Sequence, residues 1–259
     1  MALLAIDTSS RQLSVAVVEG ELPHQPGWCG GGRLLASYEL LVADHPHAIE
    51  LPGAVKRLLA SAGTSLRQLE AIAVDIGPGS FTGLRIGLAF AKALAFPAKT
   101  PLIGVASLDL LAANLPYAPS VIIPVLDARQ KNIYTARYHF KDGSAVRASD
   151  YLLGRPDDLI PRLNEPAVFL GDGCPIYRDL ILQRCPRAQF AAPELWLPRA
   201  ATLARLGQER FRQGQRDDPA KLVPMYLYPL DCSVRGPDRP TSVLSPQKAP
   251  DASPASKSV

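Results

Sequence analysis

The chain has 259 residues, 47% of them hydrophobic and 20% charged, enough for a packed core in one large domain or two small ones. Its net charge is +4, from 28 basic and 24 acidic residues, and no Lys- or Arg-rich run stands out, so composition makes no electrostatic case for nucleic acid. The four cysteines, Cys29, Cys174, Cys185 and Cys232, form no C-x-x-C pair. That excludes a zinc ribbon and a thioredoxin-type motif and fits reduced thiols.

The first residues, MALLAIDTSS, carry no basic leader, and Asp7 interrupts the apolar run, so no signal peptide is expected. No apolar run approaches the roughly 20 residues that span a bilayer, and a cytoplasmic protein is expected. Leu3 to Asp7 and Leu13 to Val18 predict two strands joined by a polar turn. The turn Asp7-Thr8-Ser9-Ser10 places hydroxyls and backbone N–H groups at a hairpin tip. There they either meet a phosphate, with Asp7 facing a metal-bound water, or bond their own backbone as turn residues do. Glu21 to Gly32, rich in Pro and Gly, predicts a long exposed loop. Leu34 to Val42 is a third strand, and His47 to Ala62 an amphipathic helix ended by Gly63.

The stretch from Ile76 to Lys92, IGPGSFTGLRIGLAFAK, follows a buried strand from Leu69 to Ile76. Gly77, Pro78 and Gly79 break that strand, and Ser80 caps the helix that follows. Strand, glycine turn and capped helix can hold an anion on free N–H groups, or can serve as a plain connector. Pro101 to Val105 is the next strand, and Ser107 is expected to cap a helix through Leu115.

The second half opens with the strand Val121 to Leu126 and then Asp127-Ala128-Arg129. Ile133 to Phe140 and Ala145 to Leu153 predict strands, Pro156 to Leu163 a short helix, and Ala167 to Leu170 a strand ending in Gly171-Asp172-Gly173. Helices are expected over Ile176 to Gln183 and Ala200 to Gln213. The order strand, Asp at its end, polar turn, strand repeats the start of the chain, which suggests a duplication. Two lobes are expected, 1–117 and 118–232. From Ser233 on, the Pro-, Ser- and Lys-rich tail 233–259 lacks the apolar residues to offset its ordering entropy, so disorder is expected.

Several of these segments together resemble one family. LAIDTSS, GPGSFTGLRIG (Gly77 to Gly87), PLIGVASLD (Pro101 to Asp109), VLDARQKNIYTARY (Val125 to Tyr138), FLGDG (Phe169 to Gly173) and PMYLYPLD (Pro224 to Asp231) are similar to the TsaB (YeaZ) family of tRNA threonylcarbamoyladenosine synthesis. The resemblance implies an α/β, actin/hexokinase-like (ribonuclease-H-like) fold with two related lobes of mixed sheet flanked by helices. It implies a non-catalytic subunit that supports a TsaD-type catalytic subunit and works with a TsaE-type ATPase, tRNA being the substrate of the complex. No cofactor is expected to bind tightly. Asp7, Thr8, Ser9, Gly171 and Gly173 are the nucleotide-loop positions, and ATP or ADP belongs at the interface with the partner.

The residues agree with a supporting role. A metal helix of the TsaD kind needs two His four apart, but four residues after His47 comes Leu51. His47 with Glu50 is the remaining pair, and nothing supplies a third ligand, so no metal site is expected. Ser80 is not in a G-x-S-x-G elbow, and no Walker P-loop occurs. Two other classes stay open: a nucleotide-hydrolysing enzyme on this fold, and a glycoprotease-like metalloprotease.

The partner surface is expected on two helices. The helix from Ser80 to Ala95 is apolar nearly all round, with Gly83, Gly87 and Ala91 recurring four apart. With the His47 to Ala62 helix it is expected to form the contact through His47, Leu51, Val55, Ser80, Phe81, Gly83, Leu84, Gly87, Phe90 and Ala91. A second copy of the chain would cover the same patch when the partner is absent. The alternative is that the helix is simply buried in this chain.

Overall fold

The structure is a computed structural model that describes residues 1–20, 32–42, 47–115, 117–118, 121–141, 143–228 and, for the backbone alone, 241–243. The loop expected over Glu21 to Gly32 lies outside the described residues except for Gly32, as do Cys29 and Cys232.

The first lobe begins with strands β1 (Ala2–Asp7), β2 (Gln12–Glu19) and β3 (Arg33–Leu41). Helix α1 (His47–Ser61), strand β4 (Ala71–Gly77), helix α2 (Phe81–Ala98), strand β5 (Leu102–Ala106) and helix α3 (Ser107–Ala113) follow. The sheet order is β3-β2-β1-β4-β5: β1 to β3 pair antiparallel as a meander, and β4 and β5 are parallel to β1. β1 is buried throughout because both its faces are covered. Ala2, Leu4 and Ile6 pack with Leu51, Val55 and Leu58 of α1 and Leu88 and Ala91 of α2. Leu3 and Ala5 point the other way.

The second lobe holds β6 (Val121–Arg129), β7 (Asn132–Thr135), β8 (Tyr138–Lys141), β9 (Ser144–Arg147), β10 (Tyr151–Gly154), α4 (Pro156–Leu159), β11 (Ala167–Leu170), α5 (Arg178–Arg184), β12 (Ala188–Phe190) and α6 (Ala200–Arg212). Its main strands run β12-β11-β6-β7-β10. Written from the other end, that is the order of the first sheet, with β6, β7, β10, β11 and β12 in the places of β1 to β5. The senses match as well: β7 is antiparallel to β6 and β10, while β11 is parallel to β6 and β12. The duplication suggested by the sequence is therefore present at the level of topology.

Each half ends in a helix shared with the other. Leu108 and Leu111 of α3 pack with Ile122, Leu126 and Tyr138 of the second sheet. The sequence groups α6 with the second half, yet Leu203 and Ala204 of α6 pack on Leu3, Ala5 and Ala73 of the first sheet. A Cβ at Gly207 would sit 2.6 Å from that of Ala73, so glycine allows this close approach. A polar tie reinforces the exchange. Asp109 of α3 accepts hydrogen bonds from the Tyr138 and Tyr151 hydroxyls at 2.8 and 2.9 Å and pairs with Arg210 of α6 at 3.0 Å.

Two expected strands are each divided. Ile133 to Phe140 splits into β7 and β8, because Pro124 on β6 has no N–H to offer and Thr135 takes its carbonyl through Oγ1 at 2.8 Å. Ala145 to Leu153 splits into β9 and β10. Tyr138 faces Arg147 while Thr135 faces Leu152, so the two residues between the pairs on one side lie opposite four on the other. Ser149 Oγ takes the Arg137 N–H at 2.9 Å in that bulge. The tail lies outside the described residues, save β13 (Thr241–Val243), whose backbone pairs antiparallel with β10.

By length and composition α2 could cross a membrane, at 18 residues. Here Gly83, Leu84, Gly87, Leu88, Ala91 and Ala95 are instead buried. Cys174 and Cys185 are buried free thiols, and burial pushes Cys174 up to about 12.

Candidate functional site

A cleft of about 920 Å³ lies between the lobes. One wall is the β1–β2 turn at Ser9, Ser10 and Arg11 together with the start of α2 from Ser80 to Ile86. The other is the β6–β7 hairpin at Leu126 to Arg129 with Tyr134 and Asp172, and the segment Met225 to Tyr228 closes it. That last segment straps the lobes together: the Met225 N–H donates to the Ile76 carbonyl at 2.6 Å, and the Tyr228 hydroxyl donates to the Ala128 carbonyl at 3.0 Å.

Ser80 is the cap the sequence predicts, its hydroxyl accepting the Gly83 N–H at 3.2 Å. The β1–β2 turn is bound to this helix start. Ser80 N–H donates to the Ser9 carbonyl at 2.7 Å, and Thr8 Oγ1 donates to the Gly83 carbonyl at 2.7 Å. A Cβ at Gly79 or Gly83 would strike the Ser9 or Thr8 carbonyl, so both glycines are required by close approach. Phe81 is 54% exposed, Arg85 lies over its ring, and Arg85 Nε donates to the Tyr226 hydroxyl at 2.9 Å.

Of the five nucleotide-loop positions, Ser9 alone lines the cleft. Asp7 and Thr8 are buried beneath the turn. Asp7 Oδ1 accepts the Ser9 N–H at 2.9 Å, the backbone bond of an Asx turn. Gly171 and Gly173 pack on Val125: a Cβ at Gly171 would strike the Val125 carbonyl, and Gly171 has φ +114. The Gly173 N–H donates to that same carbonyl at 3.0 Å. Gly171→Ala should therefore destabilise the fold by about 2–4 kcal/mol, from strain plus overpacking, and lower the melting temperature by roughly 5–15 °C. An unchanged melt would show that the glycine does not serve packing.

The second hairpin repeats the first in part. Asp127 Oδ1 accepts the Arg129 N–H at 3.0 Å, as Asp7 accepts that of Ser9. The turn itself differs, since Arg129, Gln130 and Lys131 all have positive φ without a glycine among them. Asp172 accepts the Asp127 N–H at 3.0 Å, and burial raises its pKa despite the opposing charge of Arg11 from the other lobe.

The residues expected at a partner interface divide by exposure. Ser80 and Phe81 are exposed, and Phe90 is half-buried. His47, Leu51, Val55, Gly83, Leu84, Gly87 and Ala91 are buried in this chain. His47 Nε2 contacts the Ser10 carbonyl at 2.9 Å and so anchors the turn. The row Gly83-Gly87-Ala91 faces inward because Thr8 sits in it. The outward face of α2 carries Thr82, Arg85, Ala89, Ala93 and Phe96, the last 86% exposed, with Ile86 half-buried beside them. Ile49 of α1 is 78% exposed.

Sequence reasoning missed Asp75. The register Ile6 to Val74 brings Asp7 and Asp75 side by side on parallel strands, and both are at most 1% exposed. The signal was there, a lone carboxylate inside the apolar run AIAVDIG. Ser107 is a related correction. It does not cap α3 but donates its hydroxyl to Asp75 Oδ1 at 2.7 Å, because that buried acceptor is the stronger claim on it. Among the described residues no group of three or more His, Cys, Asp or Glu could hold a metal ion.

Two duplicated lobes with meander-plus-parallel sheets, facing each other across a cleft, define a protein of the actin/hexokinase-like class. The family model described as TsaD, tRNA N6-adenosine threonylcarbamoyltransferase, matches residues 41–231. The tRNA threonylcarbamoyladenosine biosynthesis protein TsaB of Bacillus subtilis (strain 168) is 31% identical over 231 residues, covering 88% of this chain and 94% of that protein. The TsaB protein of Escherichia coli (strain K12) is 30% identical over 237 residues with the same coverage. Among solved structures, YeaZ from Pseudomonas aeruginosa superposes with a TM-score of 0.71 at 27% identity, over 87% of this chain and 99% of that one. The chain belongs to the TsaB family.

Proposed function

We propose that this chain is a non-catalytic subunit of the machinery that makes threonylcarbamoyladenosine on tRNA, supporting a TsaD-type catalytic subunit together with a TsaE-type ATPase. The role in tRNA threonylcarbamoyladenosine synthesis follows from family membership. The observation that carries the non-catalytic reading is the orientation of Asp7. Its carboxyl is buried under the hairpin instead of facing the cleft, where a phosphoryl-transfer enzyme needs its metal-orienting group. The second hairpin supports it, since Arg129-Gln130-Lys131 stands where such enzymes carry a glycine-rich loop. The chain binds no nucleotide tightly by itself; ATP or ADP sits at the interface with the partner. The complex is cytoplasmic, as its tRNA substrate requires.

Reconstitution tests this reading. The chain is combined with a TsaD-type subunit, a TsaE-type ATPase, tRNA and threonylcarbamoyl-adenylate, and the modified nucleoside is quantified after digestion. The full set should modify tRNA, the chain alone should not, and omitting the chain should lower the yield at least tenfold. Modification by the chain alone, or a yield indifferent to its omission, sinks the proposal. Steady ATP turnover by the isolated chain, abolished by Asp7→Asn, would select the nucleotide-hydrolysing reading instead.

A further inference from the structure

Among the described residues of the first lobe, two carboxylates, Asp7 and Asp75, lie in the interior, and neither is paired with a Lys or Arg. Each is held through Oδ1: Asp7 accepts the Ser9 N–H at 2.9 Å, and Asp75 accepts the Gly77 N–H at 2.7 Å and the Ser107 hydroxyl at 2.7 Å. Each leaves Oδ2 buried and unpartnered. Ser9 Oγ, on a residue 4% exposed, is unpartnered too. Three orphaned oxygens in one place are a ligand-sized debt, since each costs about 1–3 kcal/mol if left unmade.

We infer that Asp7 and Asp75 share one proton at neutral pH, Asp7 Oδ2–H donating to Asp75 Oδ2, and that this proton is a structural part of the clamp between the β1–β2 turn and the start of α2. Two ionised carboxylates side by side in the core would repel at low effective dielectric, so one proton is retained. Burial and mutual repulsion raise Asp7 well above its usual value, and burial raises Asp75. Among the described residues, the elements packed around the pair bring polar groups and no cation that acts on it. β2 contributes Ser14, whose Oγ accepts the Ala200 N–H of α6 at 2.8 Å, and α3 contributes Ser107. Of the cations on and next to α6, Arg199 pairs with Glu39, Arg210 pairs with Asp109, and Arg205 donates to the Ala113 carbonyl at 3.1 Å.

The geometry makes the proton a latch. Asp7 holds Ser9, whose carbonyl holds the Ser80 N–H, and Asp75 holds Gly77 at the other end of the turn that leads into α2. Losing the proton places a second negative charge under both turns and loosens the first turn of α2. The sign follows from linkage. The folded pair binds a proton that the unfolded chain, with carboxyls near 3.8, has lost, so stability is greatest at the acidic end and falls as pH rises toward the folded pKa.

The test is denaturant unfolding of the full chain between pH 5.5 and 8.5, wild type against Asp7→Asn, which keeps an acceptor and a donor in place. The ratio of their unfolding constants should rise by up to tenfold per pH unit, wild type losing ground. Asp75→Asn should flatten the dependence in the same way. Infrared spectra of aspartate-labelled wild type at pH 7 should show the C=O stretch of a protonated carboxyl that Asp7→Asn lacks. This second readout stands even if the variants fold poorly. A pH-independent ratio or an absent band overturns the inference. So does a wild-type stabilisation by Mg2+ or Ca2+ that Asp75→Asn abolishes, because a cation would then occupy the pair.

Discussion

Gly87→Arg should unfold the first lobe at room temperature or lower its melting temperature by at least ~10 °C. Gly87 lies on the inner face of α2, and a Cβ there would strike Thr8 Oγ1. Thr8 cannot yield, because that same hydroxyl donates to the Gly83 carbonyl at 2.7 Å and its own carbonyl lies against Gly83. Arginine also forces a charged group into a buried site, on top of the overpacking. Overpacking alone costs about 1–3 kcal/mol, and a buried unpaired charge brings the sum above about 4 kcal/mol. That is a large share of the about 5–15 kcal/mol by which domains are stable. Gly87→Ala should cost less, about 1–3 kcal/mol. Thermal unfolding followed by circular dichroism checks both, and a near-native melt for Gly87→Arg would mean that α2 turns this row outward.

What the sequence could and could not reveal is clearest on this helix. The glycine turn, the Ser80 cap and the helix itself are local features, set by residues within four positions of each other, and they are found where periodicity and capping put them. Periodicity fails to choose the buried face, because apolar residues run nearly all the way round. Gly83, Gly87 and Ala91 suggest a seat for a neighbouring helix, but the neighbour that fills the row is the hairpin turn some 75 residues earlier in the chain. The candidate loops show the same limit. Asp7 and Gly171 have the residue types of a phosphate site, and nothing local reveals that one is turned into the core and the other is pressed on Val125. The Asp7–Asp75 pair escaped notice because its partners meet only across the β1–β4 register. By contrast the duplication was legible, since strand order survives in the sequence even where identity does not.

Ala93→Arg is the complement of Gly87→Arg, with the opposite pair of outcomes. Ala93 is exposed on the outward face of α2, one turn from Ala89 and near Phe96, so a long polar side chain can stand in water when the chain is alone. Its effect on stability should stay within about 0.5 kcal/mol, as for other surface positions. Away from Thr82 and Arg85 at its start, the face is apolar, with the small residues Ala89 and Ala93 four apart and Phe96 beyond them, which suits close approach of a partner helix. If the TsaD-type subunit covers this face, the guanidinium is trapped between helices without an acid. The loss should be at least ~2 kcal/mol, or about thirtyfold in Kd. Any dimer formed by the chain alone through the same face should dissociate in parallel, read by light scattering. Ala93→Ser, small and neutral, should bind almost as the wild type does. Titration calorimetry against the TsaD-type subunit decides the matter: an Ala93→Arg chain that melts normally and still binds with unchanged affinity would move the interface off α2.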